Sequence, residues 1–310
     1  MEKPKVMSDS PAVSIVIATY NRAQLLVETI QSIFNQQYQN FELIVVDDGS
    51  TDDTKKILEG FRTRIRYFYQ DNRGPSAARN LGVRYANAEW ISIQDSDDLC
   101  TAHHLQVLSA YVKDHPECGM VFANGDYLGG REHNRETIIP GDKSRQLAKR
   151  GVELSDFFEK SILRLQAALI SRKAYEALGG HDESLRICMD LDLGFRLLMN
   201  FPIAYLDDVV FSYRKHEGNT GRNEELRLTE NIRVIEKLLQ QYPGARNQLG
   251  NDAVSRRLAY RYYRLAKGRW RRNERHQARE ALQRAISLRP GALKYRLYQW
   301  QWALGARATH

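Results

Sequence analysis

The run WISIQDSDDL, residues 90–99, ends in three carboxylates within four positions, Asp95, Asp97 and Asp98. Crowded like charges disfavour one another's ionisation. The residues before them alternate as a strand does, and in an extended segment positions i and i+2 project to one side. Asp95 and Asp97 are therefore expected to face one point while Asp98 turns away. A divalent cation there would reverse the repulsion, and Mg²⁺ or Mn²⁺ is commonly held by one or two carboxylates with substrate phosphates completing the shell. The other reading is that these acids cap a following helix. Polar clusters recur along the chain: TYNR at 19–22, DDGS at 47–50, DNRG at 71–74, and MDLDL at 189–193, which carries Asp190 and Asp192.

The segments around these clusters change period repeatedly, as alternating strands and helices do. VSIVIATY (13–20) reads as a buried strand, and residues 22–37 as a helix burying Leu26, Ile30, Ile33 and Phe34. The strand FELIVVD (41–47) runs into DDGSTDDT, whose Ser and Asp residues suit a helix N-cap. A strand at 65–70, a helix at 75–88 with Pro75 in its first turn and a strand at 90–94 follow. Four strands with three intervening helices predict an α/β fold with a doubly wound, mostly parallel sheet. Ligands of such sheets bind beyond the carboxyl ends of the strands, where this sequence puts TYNR, DDGS, DNRG and DSDD.

Farther on, 119–124 reads as a strand, and 125–160, polar and weakly periodic, as a loop region over an acceptor site. Residues 165–200 give a strand, a helix closed by Gly179 and Gly180, and a helix with Asp190 and Asp192 in its first turn. Beyond 211–219 the chain reads as helical. The expected organisation is a disordered segment at 1–11, an α/β domain at 12–222 and a basic helical extension at 223–310.

The chain has 310 residues, 42% apolar and 27% charged, the composition of a soluble globular protein with ample core. No signal peptide or membrane-spanning run is apparent, and Cys100, Cys118 and Cys188 follow no disulfide or zinc pattern, so a cytoplasmic location is expected. Of the net charge of +8, residues 251–310 hold 15 Lys and Arg against three acids, which leaves the rest slightly acidic. In that tail Tyr262, Leu265, Ala266, Ala278, Leu282, Ala285 and Pro290 fall at the spacing of one tetratricopeptide unit. Stable arrays need about three or more units, which favours a helical cap over a docking module.

Taken together, SIVIATYNR, ELIVVDDGSTDDT, NRGPSAARNLGVRYA and ISIQDSDDL, in this order and spacing, closely resemble the family 2 glycosyltransferases, inverting enzymes of the GT-A fold. The resemblance continues through ALGGHDESLRICMDLDLGFRL and FSYRKHEGN, covering roughly residues 12–220. It implies that Tyr20 lies against a nucleobase, with Ala18 and Thr19 offering backbone contacts and Arg22 in the same donor-binding motif. Asp47 would accept the base's imide N–H, which favours uracil or thymine. Arg79 would pair with the diphosphate, a task suited to its fork of donors. Asp95 and Asp97 form the D-x-D motif, Asp97 as direct metal ligand and Asp95 near the ribose or sugar as well as the metal. His216 matches a position that completes the metal shell in some members, or it caps a loop.

An inverting transferase needs a carboxylate to take the acceptor hydroxyl's proton. The resemblance assigns this to Asp190, which a helix's positive end would keep ionised; the alternative is a helix cap. The family usually has Glu before this Asp, whereas here Met189 stands there, which puts a neighbouring acceptor contact in doubt. His103, His104 and His181 read as surface or turn residues.

The implied activity is transfer of a sugar from a nucleotide diphosphate, UDP-linked, to a hydroxyl of a glycan or lipid-linked saccharide, with Mn²⁺ or Mg²⁺ as cofactor. A dinucleotide-binding dehydrogenase and a nucleotidyltransferase both lack the glycine-rich turn they would need after the first strand. A non-catalytic nucleotide-sugar sensor is the alternative. In the tail, RRLAYRYYRLAKGRWRRNER interleaves aromatics with cations, but helical periodicity makes the aromatics packing residues and argues against nucleic acid. Residues 251–310 suit an anionic membrane surface, which would make the protein peripheral on the inner face of the cell membrane.

Overall fold

A computed structural model describes residues 11–128, 136–160, 162–216, 218 and 223–303; of the segment expected to be disordered, residues 1–10 lie outside them. The chain divides into two compact units, Met1–Glu217 and Gly218–His310.

The first unit opens as its hydrophobic periods require. Strand β1 (Val13–Thr19), helix α1 (Ala23–Phe34), β2 (Phe41–Asp47), α2 (Thr54–Glu59), β3 (Arg66–Tyr69), α3 (Pro75–Arg84) and β4 (Trp90–Asp95) form the parallel, doubly wound half. Helix α1 buries Leu26, Ile30 and Ile33 completely, each burial stabilising by roughly 1.5–3 kcal/mol, while Phe34 is half-buried at the core's edge. Gly82 lets α3 lie close on the sheet, since a Cβ there would stand 2.4 Å from Val16 Cγ1.

The remaining elements are β5 (Leu99–Cys100), α4 (His104–Asp114), β6 (Met120–Tyr127), α5 (Gly141–Arg150), α6 (Leu154–Lys160), a 3₁₀ turn (Leu165–Ala167), β7 (Ala168–Ser171), α7 (Arg172–Ala177), α8 (Met189–Asn200) and β8 (Ile203–Tyr213). The sheet order is β3-β2-β1-β4-β7-β6-β8-β5, with β7 antiparallel to both β4 and β6, and β5 antiparallel to β8. Register slips between β6 and β8 around Asn124, where Phe211 packs over Gly125 so closely that a Cβ would meet its ring at 2.1 Å.

Residues 125–160 correct the sequence expectation. Strand β6 continues to Tyr127, and α5 and α6 occupy much of what reads as loop. Their signal is weak because α5 buries only Ser144 and Leu147 among ten residues. Asp156 fastens the pair: its carboxylate accepts two hydrogen bonds from Arg150 Nη2 at 2.7 and 2.8 Å and one from the Glu153 N–H at 3.0 Å. Helix α3 also stops at Arg84, short of the expected 88.

In the second unit, α9 (Glu224–Gln241), α10 (Pro243–Leu249), α11 (Asn251–Arg271), α12 (Arg275–Leu288) and α13 (Leu293–Ala303) pack around Leu258, Ala266, Ala278, Leu282 and Ala285. Trp270 of α11 stacks on Trp302 of α13, ring centroids 4.2 Å apart. No described helix is long and apolar enough to cross a membrane.

Burial pushes the Asp156 carboxyl up, but the Arg150 and Glu153 hydrogen bonds and Lys143 outweigh it and hold it below its ordinary value. A carboxyl depressed in the folded state contributes stability above its unfolded pKa and loses it as pH falls through the folded one. Asp156→Asn is therefore expected to lower the melting temperature at neutral pH. Melting curves run at successively lower pH should show the gap from wild type closing below the usual carboxylate range; a gap independent of pH would count against the ion pair.

Candidate active site

Three strands end side by side. Thr19 is in register with Asp47 across β1 and β2, and Ala18 with Asp95 across β1 and β4. Helix-connected strands diverge to either side of β1, and such a switch point opens a crevice at the carboxyl ends.

The loops on the β2 side are tied into one hydrogen-bonded body. Asp47 is buried; its Oδ1 accepts from the Ser50 N–H at 2.8 Å and its Oδ2 from the Tyr67 hydroxyl at 3.1 Å. Asp48, also buried, holds the loop after β3, accepting from Gln70 Nε2 at 2.6 Å, the Arg73 N–H at 2.9 Å and the Gly74 N–H at 2.8 Å. Gly74, at φ +94°, turns the chain directly into α3. Asn21 Oδ1 accepts from the Thr51 N–H at 2.8 Å, and the Asn21 N–H donates to Ser50 Oγ at 2.9 Å. Asp52 accepts from the Ala23 N–H at 3.1 Å, so the expected cap residue serves α1 from the loop after β2, as well as binding Thr54 at the start of α2. Beside these loops Tyr20 is 47% exposed, while Ala18 is half-buried and Thr19 buried.

On the β4 side the three acids gather, with one carboxylate oxygen each within 4.8 Å of the others. The expectation that Asp98 turns away fails, because the chain bends at Ser96 and Asp97 instead of staying extended. Asp98 is buried; its Oδ1 accepts from the Arg214 N–H at 2.9 Å, whereas its Oδ2 has no protein partner. Burial and the neighbouring Asp95 and Asp97 push its pKa up to about 8, against the Arg214 hydrogen bond. Asp97 Oδ2 lies 2.9 Å from His216 Nε2 and 3.1 Å from Arg22 Nη1, which brings three predicted site residues to one point.

Arg79 is buried in α3 and spans two acids. Its Nη2 donates to Asp95 Oδ1 at 2.5 Å and its Nη1 to Asp190 Oδ1 at 2.6 Å. Burial opposes its charge, but Asp190 and Asp95 hold it more firmly protonated than usual. Burial likewise pushes Asp190 up, yet Arg79 and the facing His181 ring outweigh it and hold the carboxyl far below its ordinary range. Burial, Asp97 and Asp190 raise Asp95 despite Arg79. Its other oxygen accepts from Gln166 Nε2, a residue the sequence reading did not single out.

His181 and His104 are buried, contrary to the surface reading. His181 Nδ1 lies 2.7 Å from the Tyr175 hydroxyl, its backbone N–H donates to Asn80 Oδ1 at 2.9 Å, and Nε2 faces Asp190 Oδ1 at 3.6 Å. Burial holds this imidazole below its usual pKa, and hence neutral, against the pull of Asp190. Asn80 stands one residue after Arg79, and Gly180 one before His181, so adjacency to motif residues was the available signal.

Such a sheet, with a carboxylate cluster beside the switch point, defines the GT-A class of fold. Among solved structures the chain is similar to TarS 1-349 of S. aureus in complex with UDP-GlcNAc (TM-score 0.59, 17% identity, 95% of this chain and 92% of that one). It is also similar to the mannosyltransferase PcManGT of Pyrobaculum calidifontis in complex with GDP-Man and Mn²⁺ (0.61, 21%, 98% and 84%). At these identities the likeness is one of fold.

The chain belongs to glycosyl transferase family 2, whose profile matches residues 14–179. It is 39% identical to glycosyltransferase GlyG of Streptococcus pneumoniae, over 69% of this chain and 74% of that protein. It is 27% identical to the GalNAc(5)-diNAcBac-PP-undecaprenol beta-1,3-glucosyltransferase of Campylobacter jejuni, over 62% and 64%. The chain spans 66% of the length of one Rickettsia glycosyltransferase it matches, and 16% and 19% of two others.

The Asp48 hydrogen bonds make a sharp expectation. Asp48→Ala leaves the buried Gly74 N–H and the more exposed Arg73 N–H without their acceptor, and an unsatisfied buried donor costs about 1–3 kcal/mol. Thermal or urea unfolding should show a loss of at least about 1 kcal/mol, whereas an unchanged midpoint would mean that the loop after β3 is held by other contacts.

Proposed function

We propose that this chain is an inverting glycosyltransferase that moves a sugar from a nucleotide diphosphate, UDP-linked, to a hydroxyl of a glycan or lipid-linked saccharide. The observation that carries the reading is Asp190, kept ionised by Arg79, which also grips Asp95 at the end of β4. A base and a donor-side carboxylate thus share one guanidinium.

The donor would lie across the ends of β1, β2 and β4, its base against Tyr20 and its imide N–H on Asp47, whose oxygens keep lone pairs beyond those used by Ser50 and Tyr67. Ala18, Thr19 and Arg22 border that place. The UDP-GlcNAc bound by TarS favours uridine. A lipid-linked acceptor is favoured by the name of the C. jejuni relative, and would bring the enzyme to the inner membrane face.

The residues fit a divalent cation: three hard carboxylates converge, Asp98 Oδ2 is buried without a protein partner, and His216 adds an imidazole beside Asp97. Asp97 and His216 would hold Mn²⁺ or Mg²⁺ with Asp95, and the bound ion supplies charge neutralisation to a departing diphosphate. Asp190 takes the proton of the attacking hydroxyl as general base. Arg79 fixes the orientation of Asp190, a task the geometry supports better than the diphosphate contact expected from the sequence, because its fork already holds two acids.

Asp190→Asn is expected to lower kcat by about 10³-fold in a UDP-sugar transfer assay, while UDP with Mn²⁺ still raises its melting temperature. Asp97→Ala should lose both turnover and the Mn²⁺-dependent shift. Wild-type turnover in Asp190→Asn would overturn the assigned base; a metal-dependent shift without transfer to any acceptor by the wild type would favour the sensor.

A further inference from the structure

The basic tail suggests a surface spread along residues 251–310, but many of its cations are engaged within the second unit. Arg264 pairs with Glu224, Arg269 Nε with Glu225 at 3.0 Å, Arg272 with Glu225 and Glu274, and the Arg275 guanidinium lies 3.8 Å from the Trp270 ring centroid. Two cations of α11, Arg264 and Arg269, are thus paired with acids of α9.

Helix α13 is built differently. Tyr295 and Trp302 are buried on one side, at 8% and 1% exposure. Leu293, Leu297 and Trp300 are 75%, 58% and 72% exposed, the three most exposed large apolar side chains among the described residues. Their spacing, i, i+4 and i+7, puts them on one face. With successive residues turned by about 100°, that face lies opposite Tyr295 and Trp302, with Lys294 on one flank and Arg296 on the other, both exposed. Residues 281–310 contain five basic side chains and not one acid.

We propose that the outward face of α13 seats the protein on an anionic phospholipid surface, with Leu293, Leu297 and Trp300 entering the headgroup and acyl boundary and Lys294 and Arg296 meeting the phosphates. The charge selects this occupant. A second copy on the same face would bring two acid-free cationic helices together, whereas anionic lipid complements both flanks. At 11 residues α13 is about 16 Å long, too short to span a bilayer and suited to lying in its plane, with an indole at the depth that tryptophan favours. The inference rests on the lipid-linked acceptor reading for its purpose, but the binding itself is tested without donor or acceptor.

The test is co-sedimentation of the full chain with phosphatidylglycerol–phosphatidylcholine vesicles and with phosphatidylcholine alone, alongside the UDP and Mn²⁺ melting shift. The wild type should partition onto the anionic vesicles, and Leu297→Glu with Trp300→Glu should weaken this by roughly tenfold or more with an unchanged melting temperature and UDP response. As a reading independent of the double variant, acyl-brominated lipid should quench tryptophan emission in the wild type, and Trp300→Phe should lose most of that quenching. Absence of wild-type binding, equal binding to neutral vesicles, or unaltered partitioning of the double variant each overturns the proposal. So does a wild-type dimer that the double variant breaks without any lipid binding, which would assign the face to a second copy. Loss of the UDP response in a wild type that still binds vesicles would instead count against the transferase reading alone.

Discussion

The geometry of the first unit hangs on burying one charge. Arg79 keeps 6% of its side-chain exposure, and a buried guanidinium is tolerable only when paired. Its partners come from elements far apart in sequence, Asp95 at the end of β4 and Asp190 in the first turn of α8. Removing one partner of a buried pair costs about 3–5 kcal/mol, less here because the two carboxylates remain 30% and 27% exposed. The pairing fixes α8 against the parallel half, and Arg79 pulls both carboxyls down; Asp190 ends low, whereas burial, Asp97 and Asp190 drive Asp95 up in spite of it.

The same logic, polar groups satisfied across loops, preorganises the other side of the crevice. Asp48 binds the loop after β3, Asp52 caps α1 from the loop after β2, and Asn21 joins the loop after β1 to Thr51. Each contact satisfies a backbone N–H of a neighbouring loop or helix start. Asn21 adopts φ 52°, in a region that Asn tolerates better than most residues. The loops that border the proposed donor place thus come fixed by their own side chains, and ordering them would add little to the cost of binding.

What the sequence made legible was local. Strands β1, β2 and β4 bury nearly every residue and read as apolar runs, and α1 shows its stripe directly. The strand ends carried the candidate residues, and Arg22 and His216 each reach Asp97 Oδ2. The unreadable parts depend on long-range contacts. Gln166, 71 positions from Asp95, leaves no periodic trace, and the burial of His181 comes from Tyr175 and Asn80. Helix α5 buries little apolar surface of its own and is tied through Arg150 to Asp156 of α6, which itself buries Leu154, Phe157 and Phe158. Asp98 joins its neighbours because of a bend that alternation cannot foresee.

The tail reads as helical through α13, but the two faces of that helix were hidden for a different physical reason. A helix reveals itself by contrast between an apolar and a polar face. Here Tyr295 and Trp302 lie opposite Leu293, Leu297 and Trp300, so the two apolar faces cancel and the segment reads as featureless. A helix that needs burial on one side gains nothing for folding from large apolar residues on the other, where each leaves hydrocarbon in water. Single exposed apolar residues are ordinary, but three on one stripe, flanked by cations in a stretch with no acid, share a geometry and a charge. Packing within the second unit accounts for the inward face alone, and the outward face acquires a physical rationale only when something apolar at its centre and anionic at its edges lies against it.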